Sequence, residues 1–85
     1  MKVAFTDSGW EQYQGWAGKN RTVLKRINTL IKEIQRNGHN GIGKPEPLKH
    51  SLAGYWSRRI TAEHRLVYAI EDDTVIIISC EFHYD

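Results

Sequence analysis

The sequence predicts a single α+β domain, helical in its first half and built of antiparallel strands in its second. The hydrophobic spacing is helical up to Gly38 and switches to a period of two from Leu48 onward. An acidic turn, Glu71-Asp72-Asp73, joins the last two strands as a hairpin. At 85 residues, the chain (1–85) has room for one domain and one modest core.

Val3 and Phe5 alternate within residues 2–6, which suits a short first strand. Thr6, Asp7 or Ser8 caps the helix that follows, and Ser8 with Glu11 matches a capping box. Trp10, Tyr13, Trp16 and Ala17 recur near helical spacing and predict an aromatic face turned to the core, weakened by Gly15 and Gly18. Asn20 caps a second, longer helix. Its Val23, Ile27, Leu30, Ile31 and Ile34 form one apolar stripe, with Lys25, Lys32, Glu33 and Arg36 outside. Asn37-Gly38 supplies its left-handed stop. Residues 38–47 carry glycines and prolines and read as an ordered loop. Strands are expected at 55–61, 64–71 and 74–83, the last apolar on both faces as in a central strand.

Composition narrows the function. The chain is 40% hydrophobic and 26% charged, the balance of an ordinary globular protein. No apolar run approaches membrane-spanning length, and the N-terminus turns polar too soon for a signal peptide. Cys80 has no internal partner for a disulfide, so a reducing cytoplasm is the expected setting. Residues 1–65 hold all 12 Lys and Arg against five acids, whereas residues 66–85 hold five acids and no Lys or Arg. A basic body with an acidic end favours a polyanionic partner.

The ionisable groups concentrate in four blocks: Lys44 to His50, Tyr55 to Ile60, Glu63 to Tyr68, and Phe82-His83-Tyr84. A carboxylate and an imidazole can divide general-base and general-acid work while cations hold a phosphodiester, a set that suits metal-independent RNA cleavage. Gly41-Ile42-Gly43-Lys44 lacks the Walker spacing and the following Ser or Thr, so a nucleotide loop is set aside. The four histidines and Cys80 show no metal-ligand spacing, and no cofactor is expected. Strand parity puts Arg59 on the open face with Tyr55 and Ser57, and Arg58 opposite, as a structural or edge residue. From the residues alone, Glu46 is either a loop carboxylate paired with Lys44 or Lys49, or a base held between Pro45 and Pro47. Arg58, Arg59 and Arg65 are equally open to pairing with the acidic tail. Tyr55 and Tyr84 belong to the rim or stack on bases. Trp10 and Trp16 are expected in core or interface.

Gly43 to His50, Trp56-Ser57-Arg58-Arg59-Ile60, His64-Arg65-Leu66-Val67-Tyr68 and His83-Tyr84 resemble, in order and spacing, the YoeB (Txe) toxins of the RelE/ParE superfamily. The resemblance covers essentially the whole chain. It implies a small microbial-ribonuclease-like (RelE-like) fold, two N-terminal helices packed on a twisted antiparallel sheet. It implies a type II toxin that enters the ribosomal A site and cuts mRNA. It also implies a YefM/Axe-like antitoxin whose disordered segment neutralises the toxin, and it allows a homodimer. By the same resemblance Glu46 is the general base, His83 the general acid and Arg65 the phosphate-stabilising cation. Lys44, Lys49, Arg59 and Tyr84 bind and position RNA. The chain departs from the family in adding Asp85 after the His-Tyr pair. Two other readings stay open: a ParE-like toxin acting by protein binding, and an RNA-binding module that cuts nothing.

Overall fold

The computed structural model describes residues 1–82. Strand β1 (Lys2–Phe5) leads into helices α1 (Asp7–Lys19) and α2 (Arg21–Asn37). The second half holds β2 (Glu46–Pro47), a 3₁₀ turn (His50–Leu52), β3 (Trp56–Arg59), β4 (Arg65–Glu71) and β5 (Thr74–Ser79). They form one five-stranded sheet in the order β1-β5-β4-β3-β2. The sheet is mixed rather than wholly antiparallel, because β1 runs parallel to β5. Two helices separate β1 from the other strands, enough chain to bring it back in the parallel sense.

Thr6, not Ser8, caps α1, accepting from the Gly9 amide at 3.0 Å. Its hydroxyl also lies 3.1 Å from the Ile78 carbonyl, so the cap fastens the helix start to β5. Gly9 is buried there with no room for a side chain: a Cβ would collide with the Ile77 carbonyl. Of the expected aromatic face only Trp16 is fully buried. Tyr13 is half-buried, Ala17 is exposed, and Trp10 is 47% exposed, stacked on Tyr13 and edge-on to Phe5. Gly9 presses the first turn of α1 so close to β5 that its neighbour Trp10 lies outside the core.

Helix α2 follows its pattern residue for residue. The Asn20 side chain accepts from the Thr22 and Val23 amides, both at 3.1 Å. Val23, Ile27, Leu30, Ile31 and Ile34 are buried, and Gly38 closes the helix with φ of 63°. The stripe meets Leu66 and Tyr68 of β4 and Val75 and Ile77 of β5 in one cluster. Burial of this kind contributes about 25 cal/mol per Å² and is what holds helices to sheet.

The loop from Gly38 to Lys44 is held by a buried cation. Arg58 is fully buried, and its guanidinium donates to the carbonyls of Gly38 (2.7 Å), Asn40 (2.8 Å) and Ile42 (3.0 Å). Its Nε donates to the Tyr68 hydroxyl at 3.3 Å. Gly38 is the C-cap of α2, so the charge also faces the negative end of the helix dipole. Among the described residues no carboxylate pairs with it. Arg58 is therefore structural, one of the two roles its parity allowed.

Strand β5 stops at Ser79, short of the expected 83, because α1 takes the chain away from the ladder: Gln12 Oε1 accepts the Cys80 amide at 2.7 Å. The 71–73 turn is as read, with Asp72 and Asp73 at φ of 47° and 57° in the two-residue hairpin form.

Replacing Arg58 by Met is expected to cost about 3 kcal/mol or more, since three buried carbonyls lose their donors together. Arg58→Lys should recover only part, because an ammonium cannot fork to three acceptors. Urea unfolding of the two variants checks both values; a parental midpoint for the Met variant would refute the clamp.

Candidate active site

The sheet has one face covered by helices and one not. Leu66 and Tyr68 point into the helix-side core, so the alternating Val67 and Ala69 lie on the other face. The register then sets a row across it: Glu46 opposite Ser57, Ser57 opposite Val67, and Val67 opposite Ser79. Ser57, Val67 and Ser79 are buried and small, and make a floor at whose β2 edge Glu46 stands exposed. One rung along, Arg59 lies directly opposite Arg65. The Arg59 amide donates to the Gly43 carbonyl at 2.7 Å, which brings Lys44 level with that arginine pair. With strands about 4.8 Å apart, Glu46 and Arg65 are about 12 Å apart at their Cα atoms. Long side chains reaching toward each other from the two positions can close most of that gap.

Each cation is held differently. Arg59 is exposed. Arg65 is half-buried and folds one nitrogen back on the turn before β4, donating to the carbonyls of Thr61 (2.8 Å), His64 (3.1 Å) and Ala62 (3.3 Å). Lys44 takes a left-handed φ of 52°, a strained conformation for a residue with a Cβ, two positions before Glu46. Lys49 precedes the 3₁₀ turn of the β2–β3 hairpin loop, on the far side of Glu46 from the arginines. None of these cations pairs with a carboxylate among the described residues: the acidic hairpin does not neutralise them, and Glu46 makes no salt bridge with Lys44 or Lys49. The fold thus assembles Glu46, Arg59, Arg65 and Lys44 and sets Lys49 apart. His83 and Tyr84 lie outside the described residues.

A family model described as the YoeB-like toxin of bacterial type II toxin–antitoxin systems matches residues 5–84. The chain belongs to the YoeB toxin family. It is 58% identical over 84 residues to Toxin YoeB of Synechocystis sp., covering 99% of this chain and 98% of that protein. A YoeB/ParE toxin structure from Agrobacterium tumefaciens superposes with a TM-score of 0.95 at 46% identity, over 99% of this chain and 100% of the other. The toxin in a YoeB–YefM complex from Staphylococcus aureus gives 0.92 at 47% identity, over 99% and 98% of the two chains. A YoeB dimer from the same organism gives 0.92 at 46%, with the same coverage.

In this YoeB-family toxin two site features escape sequence reasoning. Ser79 joins Ser57, placed here by parity, in the floor, and its Oγ is a buried oxygen with no hydrogen-bond partner among the described residues. Ile77 and Cys80 both reach the helix-side core although three residues apart, so the bulge opposite Val67 and Tyr68 turns Ser79 to the open face. His64 is the second: its Nδ1 accepts the Phe82 amide at 2.8 Å. The only signal in the sequence was its place in the His64–Tyr68 block.

Behind the site, His39 stacks on Trp56, with ring centroids 3.9 Å apart and planes 11° apart. Its Nδ1 lies 3.4 Å from the Tyr68 hydroxyl, which also accepts from Arg58. Burial, with the Arg58 charge second, holds the imidazole below its ordinary 6.5. Burial pushes Tyr68 up, partly offset by its hydrogen bond and attraction to Arg58. The Cys80 thiol is pushed up to about 12 by burial and then by Glu81, so it is no nucleophile.

The unfolded chain takes a proton at His39 more readily than the fold does. Stability should therefore be complete above 6.5 and fall as pH drops below it. His39→Phe, which keeps the stack on Trp56, should flatten this fall. Unfolding midpoints at about pH 5 and about pH 8, for parent and variant, test it; equal acid losses in both would rule it out.

Proposed function

We propose that the open face cleaves mRNA in the ribosomal A site by metal-independent acid–base chemistry, stopping translation. Glu46 takes the proton of a ribose 2′-hydroxyl, and that oxygen attacks the adjacent phosphorus. Arg65, with Arg59 opposite, stabilises charge on the phosphorane. His83 protonates the departing 5′-oxygen. The products are a 2′,3′-cyclic or 3′-phosphate and a 5′-hydroxyl. Lys44, Lys49 and Tyr84 hold the strand. Such an enzyme works in the cytoplasm, where ribosomes and messages meet.

The observation that carries this reading is the cross-strand pairing of Arg59 with Arg65, free of any carboxylate partner among the described residues. Like charges directly opposite on a sheet destabilise it. An anion seated between them, such as a phosphodiester, relieves that repulsion. Glu46 stands one rung away, where a base acting on the same nucleotide would be needed.

The same cations suit an antitoxin. YefM binds the Staphylococcus aureus relative in its complex. A YefM-like partner here would lay an acidic, initially disordered segment over Arg59 and Arg65 and order on contact. Self-association, as in the dimeric relative, is compatible with a monomer that carries the whole proposed site.

Glu46→Gln and His83→Gln are each expected to lower the cleavage rate by about 10²–10⁴-fold. Arg65→Met should lower it by about 10²-fold or more. The assay is in vitro translation of a defined message with 5′-end mapping. Message left intact by the parent, with normal translation, would replace this reading by protein binding. Intact message with stalled ribosomes would leave binding without cleavage.

A further inference from the structure

We infer that His64 is a positioning residue that grips the main chain immediately before His83 as a neutral acceptor and releases it when protonated. This rests on the proposed role of His83 as general acid. Both backbone groups of Phe82 are held by consecutive residues at the start of β4. The Phe82 N–H donates to His64 Nδ1 at 2.8 Å, and the Phe82 carbonyl accepts from the Arg65 amide, also at 2.8 Å. Phe82 takes a left-handed φ of 54°, an unfavourable conformation that such contacts must maintain. Its side chain is 62% exposed, with its ring tilted against that of His64 at 5.3 Å between centroids, a contact that His64→Phe retains. Phe82 directly precedes His83 in the chain, so these grips act on the backbone immediately before the proposed acid.

The partners dictate the tautomer. A backbone N–H only donates, so Nδ1 carries no proton and the ring proton sits on Nε2. Nε2 lies 3.2 Å from Glu63 Oε1 and donates to it. A second proton has only Nδ1 to occupy, where it meets the Phe82 N–H head-on. The groups around the ring neither prevent nor replace this. Glu63 holds Nε2 on the other side of the ring. From α1, Trp16 packs edge-on at 4.9 Å, and Lys19 sits 4.9 Å over the Trp16 ring. The Arg65 guanidinium bonds the His64 carbonyl rather than its ring. Lys19, Thr61, Glu63 and Phe82 line an open cavity of about 410 Å³ beside the imidazole, through which water and protons reach it.

The test uses the full chain and two variants. His64→Asn places Oδ1 where Nδ1 was and keeps an acceptor that does not titrate near neutrality; His64→Phe keeps the ring against Trp16 and loses the acceptor. Two-dimensional amide NMR should show the Phe82 N–H moving, and exchanging faster, in step with the His64 ring as pH falls. That coupling should vanish in the Asn variant, and the Phe variant should sit at the released position at every pH. In the translation assay at neutral pH, His64→Phe should lower kcat about tenfold, the worth of one lost hydrogen bond, with KM unchanged and His64→Asn close to the parent. A Phe82 amide indifferent to both pH and substitution overturns the inference, as does parental kcat in the Phe variant. A parent that cuts no message refutes the proposed function, and the Phe82 amide still decides whether His64 is the anchor.

Discussion

A single buried guanidinium organises this molecule. Arg58 is a cation without a counter-ion among the described residues, solvated by the carbonyls of Gly38, Asn40 and Ile42 and by the Tyr68 hydroxyl. Burying a charge is costly unless its hydrogen bonds are complete. The loop is thus drawn around the charge, and the charge keeps the loop from opening. Everything that presents Glu46 follows. The loop delivers Gly43 to the Arg59 amide, Gly43 sets the level of Lys44, and two residues later the chain pairs with β3 at Ser57. Gly43 is required there: its φ is 85°, and a Cβ would press on Leu30 and on Arg58 itself. A two-residue strand that follows Pro45 and contains Pro47 has little pairing energy of its own. Its position is borrowed from Arg58.

Neighbouring arginines on β3 therefore do opposite work, and the period of the strand makes the difference. Arg58 faces the helix side, where its charge is consumed by backbone dipoles. Arg59 faces away, opposite Arg65, where its charge stays available. Arg65 spends one guanidinium nitrogen on the carbonyls of the 61–64 turn, which steadies the side chain without neutralising it. A sheet selected for stability alone would place a carboxylate across from either arginine. The small floor of Ser57, Val67 and Ser79 fits the same purpose, since bulkier side chains there would fill the space between Glu46 and the arginines.

Where the sequence was legible, one local rule decided the outcome. The α2 stripe needs only the helical period, Asn20 only the cap geometry, the acidic hairpin only two residues able to turn left-handed. Parity alone separated Arg58 from Arg59. The misses all involve contacts between distant segments. Trp10 follows the helical period, yet Gly9 fits so closely under Ile77 that the first turn cannot also turn its indole inward. Strand β2 is too short to carry a pattern. The parallel pairing of β1 depends on where two helices return the chain. The bulge beside Val67 changes the parity of β5, so Ser79 joins the open face against simple alternation. The His64–Phe82 contact joins positions 18 residues apart. Family resemblance singled out Glu46, Arg59 and Arg65, but offered no account of what holds them where they are.

Helix α1, which contributes nothing to the open face, still governs one side of it. After Ser79 the chain has left its ladder, and α1 seizes the next residue at both ends. The Gln12 amide oxygen accepts the Cys80 N–H, and the Trp16 indole donates to the Cys80 carbonyl at 2.9 Å. The thiol between them is buried and lies 4.0 Å from the Gly9 carbonyl, so it serves as packing rather than chemistry. Two residues on, His64 and Arg65 take both backbone groups of Phe82. Trp16 appears in both grips, through its indole N–H to Cys80 and its ring edge against His64. The C-terminal segment is thus steered by side-chain-to-backbone bonds at alternate residues instead of by strand pairing. Strand pairing would have carried the chain straight off the sheet edge. Bonds placed at Cys80 and Phe82 instead hold it against α1 and the start of β4.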